Sequence, residues 1–422
     1  MSNPKQCIAP EVSSDQLETY QFDDENHVTK TSMDQKECEQ SCLLFFYPFE
    51  TLPIDQQIEL QTKGFIDEEL KAKLLRDQHA EFLKRGLSHL SGGFVTLDAS
   101  RPWLSYWMLH GLQLLEMPPT DIYDRVIRTF QHFWHSDGGF GGGPMQIGHT
   151  ATTYAACLSL AIIGTSEALD TVNRSKLYDF FMTRKHSSGA FSAHEGGEVD
   201  VRVTYCVISI ASLYGILSDD LKKNVVEYVI SCQTYEGGFG GEPDSEAHGG
   251  YAYCSIATLW IVNALDRVKN LKGLLHWVVN RQMRFEGGYQ GRTNKLVDGC
   301  YSFWQGAIPA LLAPRLKEMY GLDHFQCHQL QLQKYILLCG QQLEGGMRDK
   351  PGKSRDHYHT CYCLSGLSIA QHGNILQECD SEPVVYGSTS NLLPPVHPAY
   401  NIGIDKVSFI QQYFAEKQIS AK

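Results

Sequence analysis

Two kinds of segment alternate along most of the chain, and a glycine-rich turn marks each change. One kind is apolar at nearly every position: SYWMLHGLQLL, TYAACLSLAII, TYCVISIASLY, YCSIATLWIV, YSFWQGAIPALL and YHTCYCLSGLSIA. The other kind, such as LKKNVVEYVISCQ and LKGLLHWVVNRQ, spaces its apolar residues three and four apart among polar ones. Both patterns predict helices, the first buried all round and the second covering a core with one face. The turn reads SGGF at Gly93-Phe94, DGGF at Gly139-Phe140, SGAF at Ala190-Phe191, EGGF at Gly238-Phe239, EGGY at Gly288-Tyr289 and EGGM at Gly346-Met347, in steps of 46 to 58 residues. Each step has room for two helices and two loops, which predicts six helical hairpins in one large domain. Six apolar helices are all buried if the hairpins close into a ring with the amphipathic helices outside. The expected fold is therefore all-α, an (α/α)6 barrel or α-α toroid. An open solenoid would need polar caps at both ends. Closure is favoured because the loops after the turns carry chemically active residues that a ring brings to one mouth.

Outside the repeat the pattern is weaker. Residues 1–40 are acidic and polar, and are expected to be a disordered or loosely attached tail. Residues 41–90, with IDEELKAKLLRDQHAEFLKRGL, predict peripheral surface helices, and residues 91–422 the barrel with an irregular C-terminal segment. No apolar run is long enough to span a membrane, and MSNPKQCIAP is not a signal peptide, so a cytoplasmic protein without stable membrane insertion is expected. The thirteen cysteines, odd in number and scattered through helical patterns, read as reduced core thiols. A net charge of −12 argues against nucleic acid or an anionic membrane as partner, so any anionic ligand must be held by a local basic cluster.

Chemistry concentrates in EGGYQGRTNKLVDGCYSFWQG. Asp298 and Cys300 offer a hard oxygen and a soft sulfur, and zinc accepts both. A lone Asp-Gly-Cys also fits a small buried thiol, and the repeat context favours the metal. The other dense stretch, DKPGKSRDHYHTCYC, supplies His359 as the third ligand. Three protein ligands leave one tetrahedral place open, as in a catalytic zinc site. Cations recur at matching phase: Arg202 beside Tyr205, His248 before Tyr251 and Cys254, Arg292 and Lys295 before Tyr301 and Trp304, then Lys353 and Arg355. Meeting at one mouth, they suit a diphosphate. Trp103, Trp107, Tyr154, Tyr205, Tyr251, Trp304, Tyr358 and Tyr362 lie near the starts of the apolar helices and are expected to wall an apolar cavity. A hydrocarbon body and a diphosphate head together describe an isoprenoid diphosphate.

RPWLSYW, EVDVR, AHGGY, RQMRFEGGYQGR, NKLVDGCYSFWQ, DKPGKSRDHYHTCYCLSGLS and HPAYNIGIDKV, spread over residues 91–406, resemble the motifs of protein prenyltransferase β subunits, and most closely those of the farnesyl-transferring members. The resemblance implies a catalytic β subunit with an obligate α subunit that adds a lysine to the diphosphate site. It implies transfer of a farnesyl group from farnesyl diphosphate to the cysteine of C-terminal CaaX motifs, in proteins such as small GTPases. Asp298, Cys300 and His359 would then hold one zinc ion, with the acceptor's thiolate as fourth ligand. His248, Arg292, Lys295 and Tyr301 would hold the diphosphate, the last two counting also as catalytic, and Asp349 would serve magnesium. Trp304, Tyr251, Arg202, Tyr205, Cys254, Tyr154 and Trp103 would line the isoprenoid pocket, and Trp103, Trp107 and Tyr358 would meet the acceptor's tail. Bulky residues at the positions of Trp103 and Tyr154 go with farnesyl-specific members, and both are present. His357 stands where an aromatic is expected. A terpene cyclase would need an Asp-x-Asp-Asp cluster where this chain has VDVR, and a non-catalytic scaffold would leave the ligand and cation set unexplained.

Overall fold

The structure, a computed structural model, describes residues 28–46, 54–55, 72–377 and 382–417; among these are helices and isolated antiparallel bridges but no strand. The helices named below are, in chain order, α1 (Lys30–Phe46), α2 (Arg76–Ser88), α3 (Arg101–Leu114), α4 (Tyr123–Phe133), α5 (Thr150–Ile163), α6 (Arg174–Arg184), α7 (Val201–Leu213), α8 (Val225–Ser231), α9 (Gly249–Ile261), α10 (Leu271–Val279), α11 (Tyr301–Trp304), α12 (Ala307–Tyr320), α13 (Gln329–Lys334), α14 (His357–His372) and α15 (Ile404–Glu416). The two sequence patterns separate as their burial requires. All-apolar α5 buries every residue but Ala151, whereas α4 buries only Val126, Ile127, Phe130 and Phe133 along one stripe. Helices α3, α5, α7, α9, the α11–α12 pair and α14 pack each on the next, and α14 returns to α3. The inner ring is closed.

The repeated turn explains how. In DGGF an antiparallel bridge joins Trp134 to Phe140, and Gly138 between them has φ 95°, a conformation that side chains disfavour. A Cβ on Gly138 would also lie 2.3 Å from the Lys176 carbonyl of α6, the next outer helix. The first glycine of the later turns meets the backbone of the following outer segment in the same way. In the last of them Gly345 lies against the Gln78 carbonyl of α2, where a Cβ would come within 2.0 Å. Beside it the buried His79 accepts the Gly346 N–H at 2.8 Å, so α2 and the final turn seal the ring.

Four details depart from the sequence reading. Helix α2, grouped there with the peripheral helices, is an outer helix of the ring. The SGGF copy is no such turn: residues 92–100 form a 3-10 helix, and no outer-helix backbone lies within 4 Å of where a Cβ on Gly92 would stand. YSFWQGAIPALL breaks into α11 and α12, because Pro309 has no N–H for the Gln305 carbonyl, which instead accepts from Ile308 in a tighter turn. Part of the supposed tail is ordered: α1 buries Cys38, Cys42 and Phe45 and packs on the π-helical segment Tyr335–Gly340. Residues 1–27 of the tail, and residues 66–71 of the IDEELKAK stretch, lie outside the described residues.

Helix α1 is docked over a buried carboxyl. Gln35 donates to Glu39 and to Glu286, each at 2.9 Å, and burial pushes Glu286 from its ordinary 4.5 up to about 7. A carboxyl whose folded pKa is raised contributes stability that is complete below pH 4.5 and lost as pH climbs through 7. Glu286→Gln keeps an acceptor for Gln35 and never ionises. Its stability should match the native chain's near pH 4.5 and exceed it by up to roughly 3 kcal/mol at pH 8. Urea-unfolding midpoints measured at both pH values check this, and a difference that does not change with pH would contradict it.

Candidate functional site

The inner helices all start at one rim, and their caps come from the sequence. Asp200 caps α7 and Asp356 caps α14 through carboxylate oxygens, while His149 and His248 cap α5 and α9 by accepting the N–H two residues on at their Nδ1 atoms. Helix N-termini carry partial positive charge, so the rim favours anions although the whole chain is acidic. Inside it is a cavity of about 430 Å³ to which all six repeats contribute. That volume falls within the range of sites that take up small molecules, about 300–1,000 Å³. Of the expected wall, Trp103, Trp107, Tyr154, Arg202, Tyr205, Cys254, Trp304, Tyr358 and Tyr362 line it, as do His248 and Tyr301. Trp103 and Tyr154 meet with ring centres 5.6 Å apart. Tyr251 stands beside the cavity, under the Arg202 guanidinium at 5.4 Å. Arg202 itself is held by Asp200 at 2.6 Å. His357 takes the place of the expected aromatic as a stacked ring, 4.6 Å from Phe82.

At one side of the rim Asp298, Cys300 and His359 converge, with one ligand atom from each lying within 4.8 Å of the others. The Val297–Gln290 bridge, the Gly299 N–H on the Asp349 carbonyl at 2.7 Å and the Cys300 N–H on Asp298 at 2.9 Å hold this loop. A Cβ on Gly299 would lie 2.7 Å from the Cys363 sulfur, so the residue between the two ligands must be glycine. His359 donates its Nδ1–H to Asp356 at 2.7 Å, which turns its Nε2 toward Asp298 at 3.2 Å. Two acceptor atoms then face each other, and the arrangement demands a positive charge between them. Burial alone would lower the His359 pKa, but the hydrogen bonds to Asp298 and Asp356 outweigh it and raise it to about 10. The same place fits a metal ion: the donor set is O, S and N, and a carboxylate orients the histidine in the manner of metal-binding imidazoles. Burial, with Asp298 next to it, keeps the Cys300 thiol well above its ordinary range in the absence of a cation.

Sequence reasoning missed a second group, His149, His194 and Glu198, whose atoms are equally close. Hydrogen placement separates the two clusters. His149 accepts the Ala151 N–H at Nδ1, so its proton is on Nε2, the nitrogen that a metal would need free. His149 is therefore a donor at the cavity wall. Its sequence signal was the match of HTATTY to HGGYAY, since His248 caps its helix in the same way.

That shared geometry also decides the role of His248. With Nδ1 accepting from Gly250, Nε2 donates to the Tyr301 oxygen at 2.9 Å, which leaves the phenol hydrogen free for a ligand. Burial and the nearby Arg292 lower His248 to about 4, so it acts as a neutral donor rather than as the cation expected. Arg292 reaches Glu246 at 2.9 Å, and Lys295 is exposed on the same loop. Asp349 is paired with Lys350 at 2.6 Å, its carboxyl raised by burial and by Asp298. Lys353 is exposed, and Arg355 leaves the rim altogether: its guanidinium lies over Phe82 at 4.8 Å and donates to the carbonyls of Glu344 and Gly345. The Met347–Asp356 bridge folds that loop back and turns Arg355 outward.

The prenyltransferase alpha-alpha toroid domain matches residues 74–402, a span that begins just before α2. The protein farnesyltransferase subunit beta of Arabidopsis thaliana is 41% identical over 403 residues, covering 81% of this chain and 83% of that protein. The protein of that name from Pisum sativum is 42% identical over 377 residues, covering 75% and 89%. The geranylgeranyl transferase type-1 subunit beta of Arabidopsis thaliana is 29% identical over 343 residues, covering 73% and 88%. Among solved structures, Candida albicans protein geranylgeranyltransferase-I complexed with GGPP superimposes with a TM-score of 0.66 over 81% of this chain and 99% of that one; at 21% identity it bears on the fold alone.

Removing the carboxylate that orients His359 tests the metal reading. Asp356→Asn should lower zinc affinity by about 10- to 100-fold while the fold is kept. Competition against a chromophoric chelator measures it, and unchanged affinity would show that Asp356 only caps its helix.

Proposed function

The chain belongs to the prenyltransferase α-α toroid family, as a β subunit of the farnesyltransferase kind, and from that premise we propose that it transfers a farnesyl group from farnesyl diphosphate to the cysteine of CaaX-ending proteins, in the cytoplasm and together with an α subunit. One observation carries the reading: an apolar cavity opens beside a ligand triad and a phenol whose hydrogen His248 leaves free, the two joined through consecutive residues, Cys300 and Tyr301.

Asp298, Cys300 and His359 would hold zinc, which when bound lowers the pKa of an acceptor thiol and so supplies a nucleophile at neutral pH. The tyrosine and tryptophan rings receive the hydrocarbon and exclude water from it. Tyr301 donates its phenol hydrogen to the diphosphate and His248 holds that phenol in place. The phenol is in position beforehand and neutral, so it stabilises the charge that grows on the departing oxygen without itself being reorganised. Arg292 exchanges Glu246 for the diphosphate, and exposed Lys295 adds a second positive charge on the same loop. Asp349 would hold a magnesium ion, which when bound would add to this neutralisation. In the transfer the C1–O bond of the farnesyl donor breaks and a C1–S bond forms. The electron pair leaves with the diphosphate. Trp107 and Tyr358, whose rings meet at 5.4 Å on the cavity wall, are suited to receive the apolar residues of the acceptor's tail.

A peptide ending in Cys-Val-Leu-Ser, incubated with the heterodimer and equal amounts of farnesyl and geranylgeranyl diphosphate, should become mainly farnesylated. Cys300→Ala should lose zinc and transfer together; full transfer by the zinc-free protein would overturn the reading. Tyr301→Phe, which removes only the donated hydrogen, should lower kcat roughly 100-fold with little change in the peptide KM. Single-turnover kinetics separate this from slow product release.

A further inference from the structure

One connection between neighbouring repeats recurs along the rim. The residue after each of four rim side chains donates its N–H to a loop carbonyl of the next repeat: Thr150 to Ala193 at 2.9 Å, Val201 to Gly241 at 2.9 Å, Gly249 to Gly291 at 2.8 Å and Gly299 to Asp349 at 2.7 Å. The side chains that precede these donors are His149, Asp200, His248 and Asp298. A second feature recurs on the outer segments. Four residues beyond the carbonyl that faces each turn's first glycine stands an aromatic ring: Phe180, Tyr228, Trp277, Tyr335 and, in α2, Phe82. The second turn glycine makes room for the ring. A Cβ on Gly139, Gly238, Gly288 or Gly346 would come within 3.0 Å of Phe180, Trp277, Tyr335 or Phe82 respectively.

The five copies differ in the polar atom that the ring carries. Phe180 and Phe82 carry none, and the Trp277 Nε1–H is buried without a partner. Packing between hairpins thus needs the ring and not a hydrogen bond. The Tyr228 hydroxyl reaches the Gly241 carbonyl only at 3.5 Å, the outer limit of such a bond. Tyr335 makes the short one. Fully buried, it donates to the Asp349 carbonyl at 2.7 Å. That carbonyl is the one that also receives the Gly299 N–H, so both its lone pairs are used. Gly299 stands between Asp298 and Cys300, two members of the ligand triad. A Cβ on Gly288 would lie 2.6 Å from the Tyr335 ring and equally close to Val297, the residue before Asp298. Tyr335 also opens the π-helical segment, a rare form of turn that is frequent at functional sites.

We infer that Tyr335 is a positioning residue for the metal triad: by holding the Asp349 carbonyl it fixes Gly299, and with it the spread between the Asp298 and Cys300 ligand atoms. This rests on the zinc reading above. Without the hydroxyl the carbonyl keeps the Gly299 N–H, so no buried group is orphaned and the ring still packs, as phenylalanine does at Phe180 and Phe82. What is lost is the second tether on the ligand loop. A metal centre registers that loss, because outer hydrogen bonds that orient its ligands set its affinity and geometry.

The test compares Tyr335→Phe with Tyr228→Phe in the heterodimer. Each removes one hydroxyl from an equivalent ring, and only the first bears on the triad. Competition against a chromophoric chelator gives the zinc affinity, and cobalt(II) in place of zinc reports the coordination geometry through its visible absorption. Tyr335→Phe should bind zinc about tenfold more weakly and alter the cobalt spectrum, while Tyr228→Phe leaves both as in the native protein. An affinity for Tyr335→Phe within about twofold of the native value, or an equal loss in both variants, would make the hydroxyl a packing detail and overturn the inference. Tyr335→Trp, which brings the ring found at Trp277 and likewise lacks the hydroxyl, decides by the same two measurements if the phenylalanine variant fails to fold. A native heterodimer that binds no zinc would instead sink the metal reading itself, and this inference with it.

Discussion

Closure of the ring rests on contact between a turn glycine and the backbone of the next outer helix. A side chain at Gly138 or Gly345 would hold neighbouring hairpins apart by the width of a methyl group, and packed backbones cannot absorb that locally. Repeated from turn to turn, the contact fixes the rotation of each hairpin relative to the next. The six inner helices therefore meet end to end instead of continuing as an open stack. Closure is completed at α2, through Gln78 and His79, over 260 residues from the turn that it meets.

From this follows the polarity of the two ends. Because every hairpin has the same orientation, the inner helices present their N-termini at one rim, and a chain with a net charge of −12 acquires a mouth suited to anions. Charge there is graded. His248 is neutral because it is buried near Arg292, and so donates hydrogen without adding repulsion between cations. His359, between two carboxylates, sits where a positive charge is required. The difference is local hydrogen bonding: His248 accepts a backbone N–H at Nδ1, whereas His359 donates there to Asp356. Histidines that look alike in sequence thus differ in which ring nitrogen is left to face the site: His248 turns an N–H onto Tyr301, and His359 turns a lone pair toward Asp298.

Away from the rim the C-terminal segment meets the inner helices: Tyr106 donates to the Asn401 carbonyl, Tyr205 to that of Ala399 and Tyr253 to that of Pro398. Backbone carbonyls of the C-terminal segment would be costly to bury unpaired, and the tyrosine hydroxyls that satisfy them would be equally costly alone. Each corrects the other. Tyr205 belongs both to this network and to the aromatic wall of the cavity.

Much of this was legible in the chain because it depends on neighbours in sequence. The near-continuous apolar runs, the glycine turns and the donor types in VDGC and RDHYH express local periodicity, φ preference and ligand chemistry; they foretold the toroid and singled out Asp298, Cys300 and His359, which the structure brings together. What failed was identical in sequence but different in surroundings. SGGF at Gly93 matches the other turns yet has no outer helix against it, and Arg355 shares the spacing of the rim cations yet is turned onto Phe82. Docking of α1 on Glu286, the tautomer that sets His149 apart from His359, and the tyrosine hydrogen bonds to the carbonyls of residues 398–401 likewise left no local mark. The sequence by itself determined the repeating unit and the chemistry that it carries. The tertiary structure alone decided which copies close the ring, which polar groups face the ligand and where the cavity ends, because those depend on hydrogen bonds and packing between residues that meet only after the chain has come full circle.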